Sequence, residues 1–237
     1  MKYYYDFHIH TGLSPCADAE MTPNNIINMA QLKGLDIIAV SDHNTTGNLR
    51  SVFECASETD ILVIPAIEAE TSEEVHVLCL FPTLEAAEKV GALIYNSLPE
   101  LKNRPDIFGE QILYDQNDNI MGYEPKMLVT ATGLSLDKLK NNVESTGGIA
   151  IPAHVDRNSF SILSNLGFIP EEMNFTTLEI SKKCNLTTFF DKHQQVKNYN
   201  IIYNSDSHHL GDISEPDAHM DLEIKSIDAI LKFLKNM

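Results

Sequence analysis

Histidines and carboxylates recur at the ends of the predicted strands of this 237-residue chain, and these are groups that bind metal ions. Seven of the nine histidines take such positions, several with an Asp or Glu one or two residues away. Imidazole and carboxylate ligands without thiolate suit zinc, manganese or iron(II). The distribution therefore indicates a metal centre, and the histidines concerned are His8, His10, His43, His76, His154, His208 and His209.

The first of these motifs is HIH, in which His8 and His10 close the first predicted strand. Side chains alternate along a strand, so both imidazoles point to the same face and can bind one ion. Polar residues on an exposed strand face would give the same pattern without a metal, so HIH alone is weak. It gains weight from the clusters near later strands, which are Asp42 and His43, Glu68 and Glu70, His76, then His154, Asp156 and Arg157, and finally Asp206, His208 and His209.

The elements that would bring these groups together are parallel strands joined by helices, because short apolar runs alternate with amphipathic stretches. In a parallel β/α barrel the carboxyl ends of all strands open onto one face, so residues distant in sequence surround one pocket. The first helix has clear signals, with Thr22 to cap it, Pro23 at its first position and Gly34 after its end. Strands are predicted near 4–9, 36–41, 61–67, 75–80, 148–153, 176–180 and 200–205, and helices near 23–33, 47–57, 84–97, 135–146, 159–166, 187–198 and 226–236.

Residues 98–133 break this alternation. Within them, QILYDQNDNIMGYEP predicts a β-hairpin with its turn at 116–119. Such an insertion over the barrel mouth would shape a substrate pocket, and the alternative is a surface excursion without function. We predict a single domain over residues 1–237 with this insertion at about 98–133.

The composition restricts the partners. Seventeen Lys and Arg against thirty-four Asp and Glu give a net charge of −17, which repels a long nucleic acid. The N-terminus lacks the apolar run of a signal peptide and no stretch approaches the ~20 apolar residues of a membrane span, so we expect a cytoplasmic protein without a membrane partner. The cysteines show no CxxC spacing and are expected to be reduced, with Cys16 exposed in a loop of the site. The oligomeric state is left open.

The motifs in chain order, HIH, SDH, a strand-end glutamate, EVHVL, PAH and DSH, resemble the polymerase and histidinol phosphatase superfamily, known as PHP domains. The resemblance runs from His8 to His208 and omits only the hairpin region and the last thirty residues. It implies an α/β fold, a distorted (β/α)7 barrel with its metal site at the C-terminal face of the strands. It also implies two or three divalent ions, of zinc, manganese or iron.

The resemblance further implies which residues bind each ion. The second ion needs a ligand from the loop after the first strand, five positions before Pro23, and Asp18 stands there. That loop reads SPCAD where relatives commonly read SDG, so Glu20 remains the alternative. Asp42 is expected to accept a hydrogen bond from a ligand histidine. The implied ligand sets are His8, His10, Glu68 and Asp206 for the first ion, with Glu68 bridging, then His43, His208 and Asp18 for the second, and Glu68, His76 and His154 for the third.

The implied activity is a metal-dependent phosphoesterase that hydrolyses a small phosphate monoester, such as a sugar, amino-alcohol or nucleotide phosphate, by metal-bound hydroxide. Asp206, Glu68 and His208 are the predicted catalytic residues. Cationic side chains at the barrel mouth, Arg157, Lys182 and Lys183, are predicted to hold the phosphate. The alternatives are an exonuclease that trims short oligonucleotides, a noncatalytic metal-binding domain, and an amidohydrolase, although Glu68 occupies the strand end where that class carries a carbamylated lysine.

Overall fold

The structure, a computed structural model, describes residues 1–236, so that Met237 of the predicted domain lies outside the described residues. These described residues form three sheets, which are a six-stranded sheet of order β10-β1-β2-β3-β4-β7, a parallel pair β8-β9, and a hairpin β5-β6. The strands are β1 Lys2–Ile9, β2 Ile37–Val40, β3 Leu62–Glu70, β4 His76–Leu80, β5 Ile112–Tyr114, β6 Ile120–Tyr123, β7 Ile149–Pro152, β8 Thr177–Ser181, β9 Asn200–Asn204 and β10 His219–Asp221.

Strand β4 departs from the predicted parallel arrangement. Strands β1, β2 and β3 pair in parallel, but β4 runs antiparallel to both β3 and β7. Only residues 71–75 separate β3 from β4, whereas a parallel connection needs a crossover of about a dozen residues. Two of the seven predicted strands are therefore joined without a helix. The reversal brings the start of β4, with His76, to the edge where its neighbours end.

The sheet curls until its two sides meet the β8-β9 pair. On one side, the Val155 amide after β7 donates to the Glu179 carbonyl of β8 at 2.9 Å. On the other, the Ser207 amide after β9 donates to the His8 carbonyl at 3.2 Å, and the His10 amide donates to the Ser207 carbonyl at 3.0 Å. The predicted α/β barrel class is thereby confirmed, and the ends of β1 and β9 lie side by side.

Helices cover the outside of the curled sheet. The side chain of Thr22 accepts from the Asn25 amide and Pro23 begins α1, as the capping signals predict. Helix α6 begins later than predicted because Ser161 forms a capping box with Ser164. No helix within residues 1–236 is both long and apolar enough to cross a membrane. The helices are α1 Pro23–Leu32, α2 Leu49–Ala56, α3 Leu84–Ser97, α4 Pro105–Phe108, α5 Leu136–Ser145, α6 Ile162–Leu166, α7 Leu186–Lys192 and α8 Ile227–Asn236.

The segment 98–133 contains α4 and the β5-β6 hairpin, and it packs on the loop that follows β1. The Ile112 amide donates to the Gly12 carbonyl at 2.8 Å, and the Tyr114 hydroxyl donates to the Ala19 carbonyl at 2.7 Å. A Cβ atom at Gly12 would lie 2.7 Å from the Tyr114 hydroxyl, so any larger residue at this position would displace Tyr114. The insertion therefore holds a loop at the carboxyl edge of the sheet.

Candidate metal centre

Glu68, near the end of β3, lies inside a ring of imidazoles. Its side chain is 1% exposed, and its two oxygens lie within 3.5 Å of five different histidines. A carboxylate with both oxygens facing imidazoles has the position of a group that bridges metal ions. The nearest nitrogens are His76 Nδ1 at 2.9 Å, His43 Nδ1 at 3.0 Å, His154 Nε2 at 3.1 Å, His8 Nε2 at 3.2 Å and His10 Nε2 at 3.5 Å.

Asp206 extends this cluster from the end of β9. Its Oδ1 lies 3.0 Å from His10 Nε2 and 3.4 Å from His8 Nε2. The ring of His208 stacks on His10 with 4.3 Å between ring centroids, while its Nδ1 donates to the Asp206 carbonyl at 2.9 Å. Donor atoms lie within 4.8 Å of one another in three overlapping groups, which are His8, His10, Glu68 and Asp206, then His10, His43 and His208, then His43, Glu68 and His76.

Some of the donor atoms in this cluster have no hydrogen-bond partner among the described residues, and a bound metal ion would supply one. His8 Nε2 and Glu68 Oε2 are buried and make no hydrogen bond within the described chain. Buried polar atoms without partners are costly, by about 1–3 kcal/mol each, and a divalent ion would satisfy donors of this type. Nitrogen and oxygen donors in this mixture suit zinc, manganese or iron.

Glu179 on β8 orients His8 and was not predicted from the sequence. Both of its oxygens lie 3.0 Å from His8 Nδ1, and Asn204 Nδ2 donates to Oε2 at 3.1 Å. A carboxylate at Nδ1 fixes the tautomer that leaves Nε2 available to bind an ion. The available signal was an acidic residue inside the otherwise apolar strand TLEIS, where it is fully buried.

The expectation for Asp42 is corrected. Instead of accepting directly from a histidine, Asp42 accepts from the Thr11 hydroxyl and from Ser14 Oγ, each at 2.7 Å. Ser14 Oγ in turn lies 3.0 Å from His10 Nδ1 and completes the link. The intervening serine arises because the chain turns back at residues 11–14, where the Ser14 amide donates to the Thr11 carbonyl at 3.1 Å.

The electrostatics match the ligand roles. Burial raises the pKa of Glu68, but His76, His8 and His43 outweigh it and hold that pKa well below its ordinary value. Burial, together with the charges of His208 and His43, lowers the pKa of His10 well below its ordinary value and keeps its imidazole neutral. For His8, burial lowers the pKa but Glu179 and Glu68 raise it well above the ordinary value. His8 must lose a proton to bind an ion, so metal binding should strengthen as the pH rises.

Backbone strain also concentrates at this site. Among non-glycine residues with positive φ are His154 at 32° and Asp206 at 51°, both proposed ligands. Asn44 at 54° and Phe160 at 55° lie beside His43 and His76. A positive φ costs conformational free energy in a non-glycine residue. It persists only where the surrounding contacts hold the backbone in that conformation, which is common at functional sites.

The loop after β1 leaves Cys16 exposed, as expected, but turns Asp18 away from the donor groups. The Asp18 side chain is 46% exposed, 3.6 Å from His209 Nδ1, and its Oδ1 accepts from the Glu20 amide at 2.8 Å. The thiol of Cys16 is instead the group of this loop that His208 and His43 influence. Glu20 is exposed. The structure therefore does not bring Asp18 into the three donor groups, and its role as a ligand stays a prediction.

Cys16 should react as a thiolate in the metal-free protein. Burial raises its pKa, but His208 and His43 outweigh it and lower the pKa from 9.0 to about 6. Burial and Asp118 raise the pKa of Cys55 to about 11, which makes it an internal control. We expect iodoacetamide to alkylate Cys16 with a rate that is half-maximal near pH 6, while Cys55 reacts only in alkali. Peptide mass spectrometry across pH measures both, and parallel profiles for the two thiols would contradict the assignment.

The three cations predicted to hold phosphate are placed unequally. Arg157, on the loop after β7, approaches Asp206 with Nη1 at 2.6 Å from Oδ2, and its side chain is 43% exposed. Lys182 lies 3.6 Å from Asp217, and Lys183 is exposed. Neither lysine forms an ion pair with Glu68 or Asp206 in the part of the chain that the structure describes, so only Arg157 is brought to the cluster.

Replacing Glu179 with glutamine should weaken metal binding while leaving the fold intact. The amide keeps the shape and its hydrogen bond to His8, but it loses the charge that fixes the His8 tautomer. Loss of such a partner costs about 10–100-fold in metal affinity. Titration against a competing chelator measures the change, with the exposed Glu172→Gln as matched control. Equal affinity in both variants would show that Glu179 does not act on the metal.

Solved structures resemble this chain over nearly all of its length. The lesion-specific endonuclease PfuEndoQ from Pyrococcus furiosus matches with a TM-score of 0.70 and 16% identity, covering 100% of this chain and 56% of the endonuclease. An amidohydrolase from Chromobacterium violaceum with bound sulfate matches with a TM-score of 0.59 and 18% identity, over 97% of this chain and 96% of that one. A protein from Bifidobacterium adolescentis assigned as a metal-dependent phosphoesterase matches with a TM-score of 0.56 and 17% identity, over 97% and 95%.

At these identities the likeness shows the fold, and the chain spans only about half the length of the endonuclease. No curated protein sequence matches it. The sequence model of the PHP domain, however, matches residues 6–141, which are more than half of the chain and include the ligands proposed from β1 to β4. Family match, curled sheet and histidine cluster agree, and the chain belongs to the PHP domain family of metal-dependent phosphoesterases.

Proposed function

We propose that this chain hydrolyses a small phosphate monoester, such as a sugar, amino-alcohol or nucleotide phosphate, with two or three divalent ions. The observation that carries the proposal is the position of Arg157, whose guanidinium stands over Asp206 at the edge of the imidazole cluster. Bound divalent ions would neutralise the phosphate oxygens and lower the pKa of the attacking water. A cation next to such a cluster is where a phosphate would bind.

The protein's own residues have distinct tasks in this proposal. Glu68 and Asp206 supply ionised oxygens, because the surrounding histidines hold both pKa values well below the ordinary range despite burial. Asp206 presents Oδ1 to His8 and His10 and is proposed to orient the attacking water and accept its proton. His208, whose side chain is 23% exposed, is proposed to bind the second ion at the open side of the site.

Small substrates are favoured by charge and by the loops around the site. The net charge of −17 repels a polyanion, and Arg157 is the only cation that the described residues place against the cluster. The hairpin segment adds no basic stripe there, since it packs through Tyr114 and Ile112 onto the loop after β1. A long nucleic acid would need more phosphate contacts than these residues offer.

Nucleic acid cleavage is the second candidate, and the backbone likeness to an endonuclease favours it. Endonuclease Q has been solved with a 27-mer duplex that carries an abasic lesion at its active site, and this chain matches that structure with a TM-score of 0.67. The likeness covers 57% of that chain. The two candidates share the metal centre and differ in what binds outside it.

Comparison of rates on the metal-loaded protein separates the candidates. Zinc-, manganese- and iron-loaded samples are offered sugar phosphates, nucleotides, an amino-alcohol phosphate and a single-stranded oligonucleotide, with Asp206→Asn to identify turnover by this site. We expect the highest kcat/KM on a monoester. Faster cleavage of the oligonucleotide would favour the nuclease function over the monoesterase function. Full metal loading without turnover of any compound would indicate a noncatalytic domain.

A further inference from the structure

Phe160 is an aromatic residue that stays 43% exposed beside the metal centre. Its ring stacks on the imidazole of His76, with 4.9 Å between centroids and an interplanar angle of 25°. One face of the ring is thus covered by a proposed ligand, and much of the remaining ring surface is open. An aromatic ring held in this way can stack on a planar group of a bound molecule.

The backbone imposes this position on Phe160. Its φ of +55° is unusual for a bulky side chain, and strain of this kind persists where neighbouring contacts enforce it. The Phe160 carbonyl accepts from the His76 amide at 2.8 Å. On the other side, Ser161 caps α6 and its hydroxyl donates to the Arg157 carbonyl at 2.7 Å. Hydrogen bonds on both sides of Phe160 therefore hold the loop that carries its ring.

The same loop carries Arg157, the residue proposed to bind the phosphate. The loop of residues 154–160 begins at His154 and ends at Phe160, which packs against His76. Between them, Arg157 contacts Asp206. A phosphate that contacts Arg157 would therefore lie against a loop that also carries Phe160, three residues along the chain. A ring on the alcohol portion of such a phosphate ester is the part of a substrate that an open aromatic face would recognise.

We propose that Phe160 determines substrate specificity by stacking on a planar ring in the alcohol portion of the phosphate ester. The inference rests on the proposed function for its phosphate anchor and narrows the substrate class. Monoesters that carry a nucleobase or another aromatic ring are preferred over those with a sugar or open-chain alcohol alone. Phe160 touches the substrate in this scheme and takes no part in proton transfer.

Adenosine 5′-monophosphate and ribose 5-phosphate test the proposal because they share the same leaving oxygen and differ at C1, which carries adenine in the first and a hydroxyl group in the second. Phe160→Ala and Phe160→Leu should each lower kcat/KM for the nucleotide by about tenfold, mainly through KM, and change that for ribose 5-phosphate by no more than about twofold. Leucine keeps an apolar cover on His76, and Phe168→Ala, 57% exposed in the wild type, is the matched control. An equal loss on both substrates would overturn the proposal and leave Phe160 as support for His76.

A second readout needs no turnover. The chain contains no tryptophan, so Phe160→Trp introduces a single fluorophore and Phe168→Trp provides its control. In the zinc-loaded Phe160→Trp variant, the nucleotide should quench Trp fluorescence before hydrolysis, whereas ribose 5-phosphate should not. The Phe168→Trp variant should respond to neither compound. Quenching in a protein that hydrolyses nothing would refute the proposed function alone. Absence of nucleotide-specific quenching would refute the role of Phe160.

Discussion

Glu68→Ala is expected to leave the protein unable to retain more than one metal ion and to lower kcat/KM by about 10³-fold or more. The reason is geometric, because the Glu68 oxygens lie within 3.5 Å of five imidazoles and belong to two of the three donor groups. His76 belongs to only one of these groups, and its side chain is 12% exposed. His76→Ala should therefore lose less metal, which elemental analysis of gently purified and reconstituted samples would show.

The comparison between these two variants is the decisive part of the measurement. Equal metal loss in both would leave no support for a bridging carboxylate, and normal loading of Glu68→Ala would contradict the proposed centre altogether. Circular dichroism of the metal-free variants checks the fold. Because its partners lower the pKa of Glu68, its stabilisation of the metal-free fold is present above its ordinary value of 4.5 and is lost as the pH falls through the lowered pKa.

Strand-end positions explain why the sequence could predict so much of this cluster. His8 and His10 share a face by simple alternation, and the ends of β1, β2, β3, β7 and β9 meet at one edge whatever the details of packing. His76 was predicted for the right reason only in part. It lies at the start of its strand, and its arrival at the same edge depends on the antiparallel turn of β4, which the short connection already implied.

The features of the site that could not be predicted from the sequence depend on long-range contacts. The direction of Asp18 and Cys16 depends on how the loop after β1 folds, and Tyr114 of the distant hairpin fixes that loop at Ala19. Glu179 carries no motif of its own, since its function follows from the pairing that places β8 beside His8. Irregular loops and side chains that act through a neighbour need tertiary structure, because no local periodicity specifies either.

Arg157 contacts one oxygen of Asp206, and the histidines contact the other. His8 and His10 approach Oδ1, while Arg157 approaches Oδ2 at 2.6 Å. Removing the guanidinium should therefore leave metal content unchanged and act on the substrate alone. For Arg157→Ala we expect a loss of about 2–4 kcal/mol of transition-state stabilisation, seen in kcat/KM for a phosphate monoester.

The lysine variant and a remote arginine make the measurement specific. Arg157→Lys should recover only part of the loss, because an ammonium group cannot reproduce the two parallel hydrogen bonds of a guanidinium to phosphate. Arg104 offers a matched control, since it is also exposed and also paired, with Asp106 at 2.9 Å, so Arg104→Ala should have normal kinetics. Normal kcat/KM in Arg157→Ala would show that this side chain is a solvated loop residue. The phosphate contact would then pass to Lys182, Lys183 or the metal ions alone.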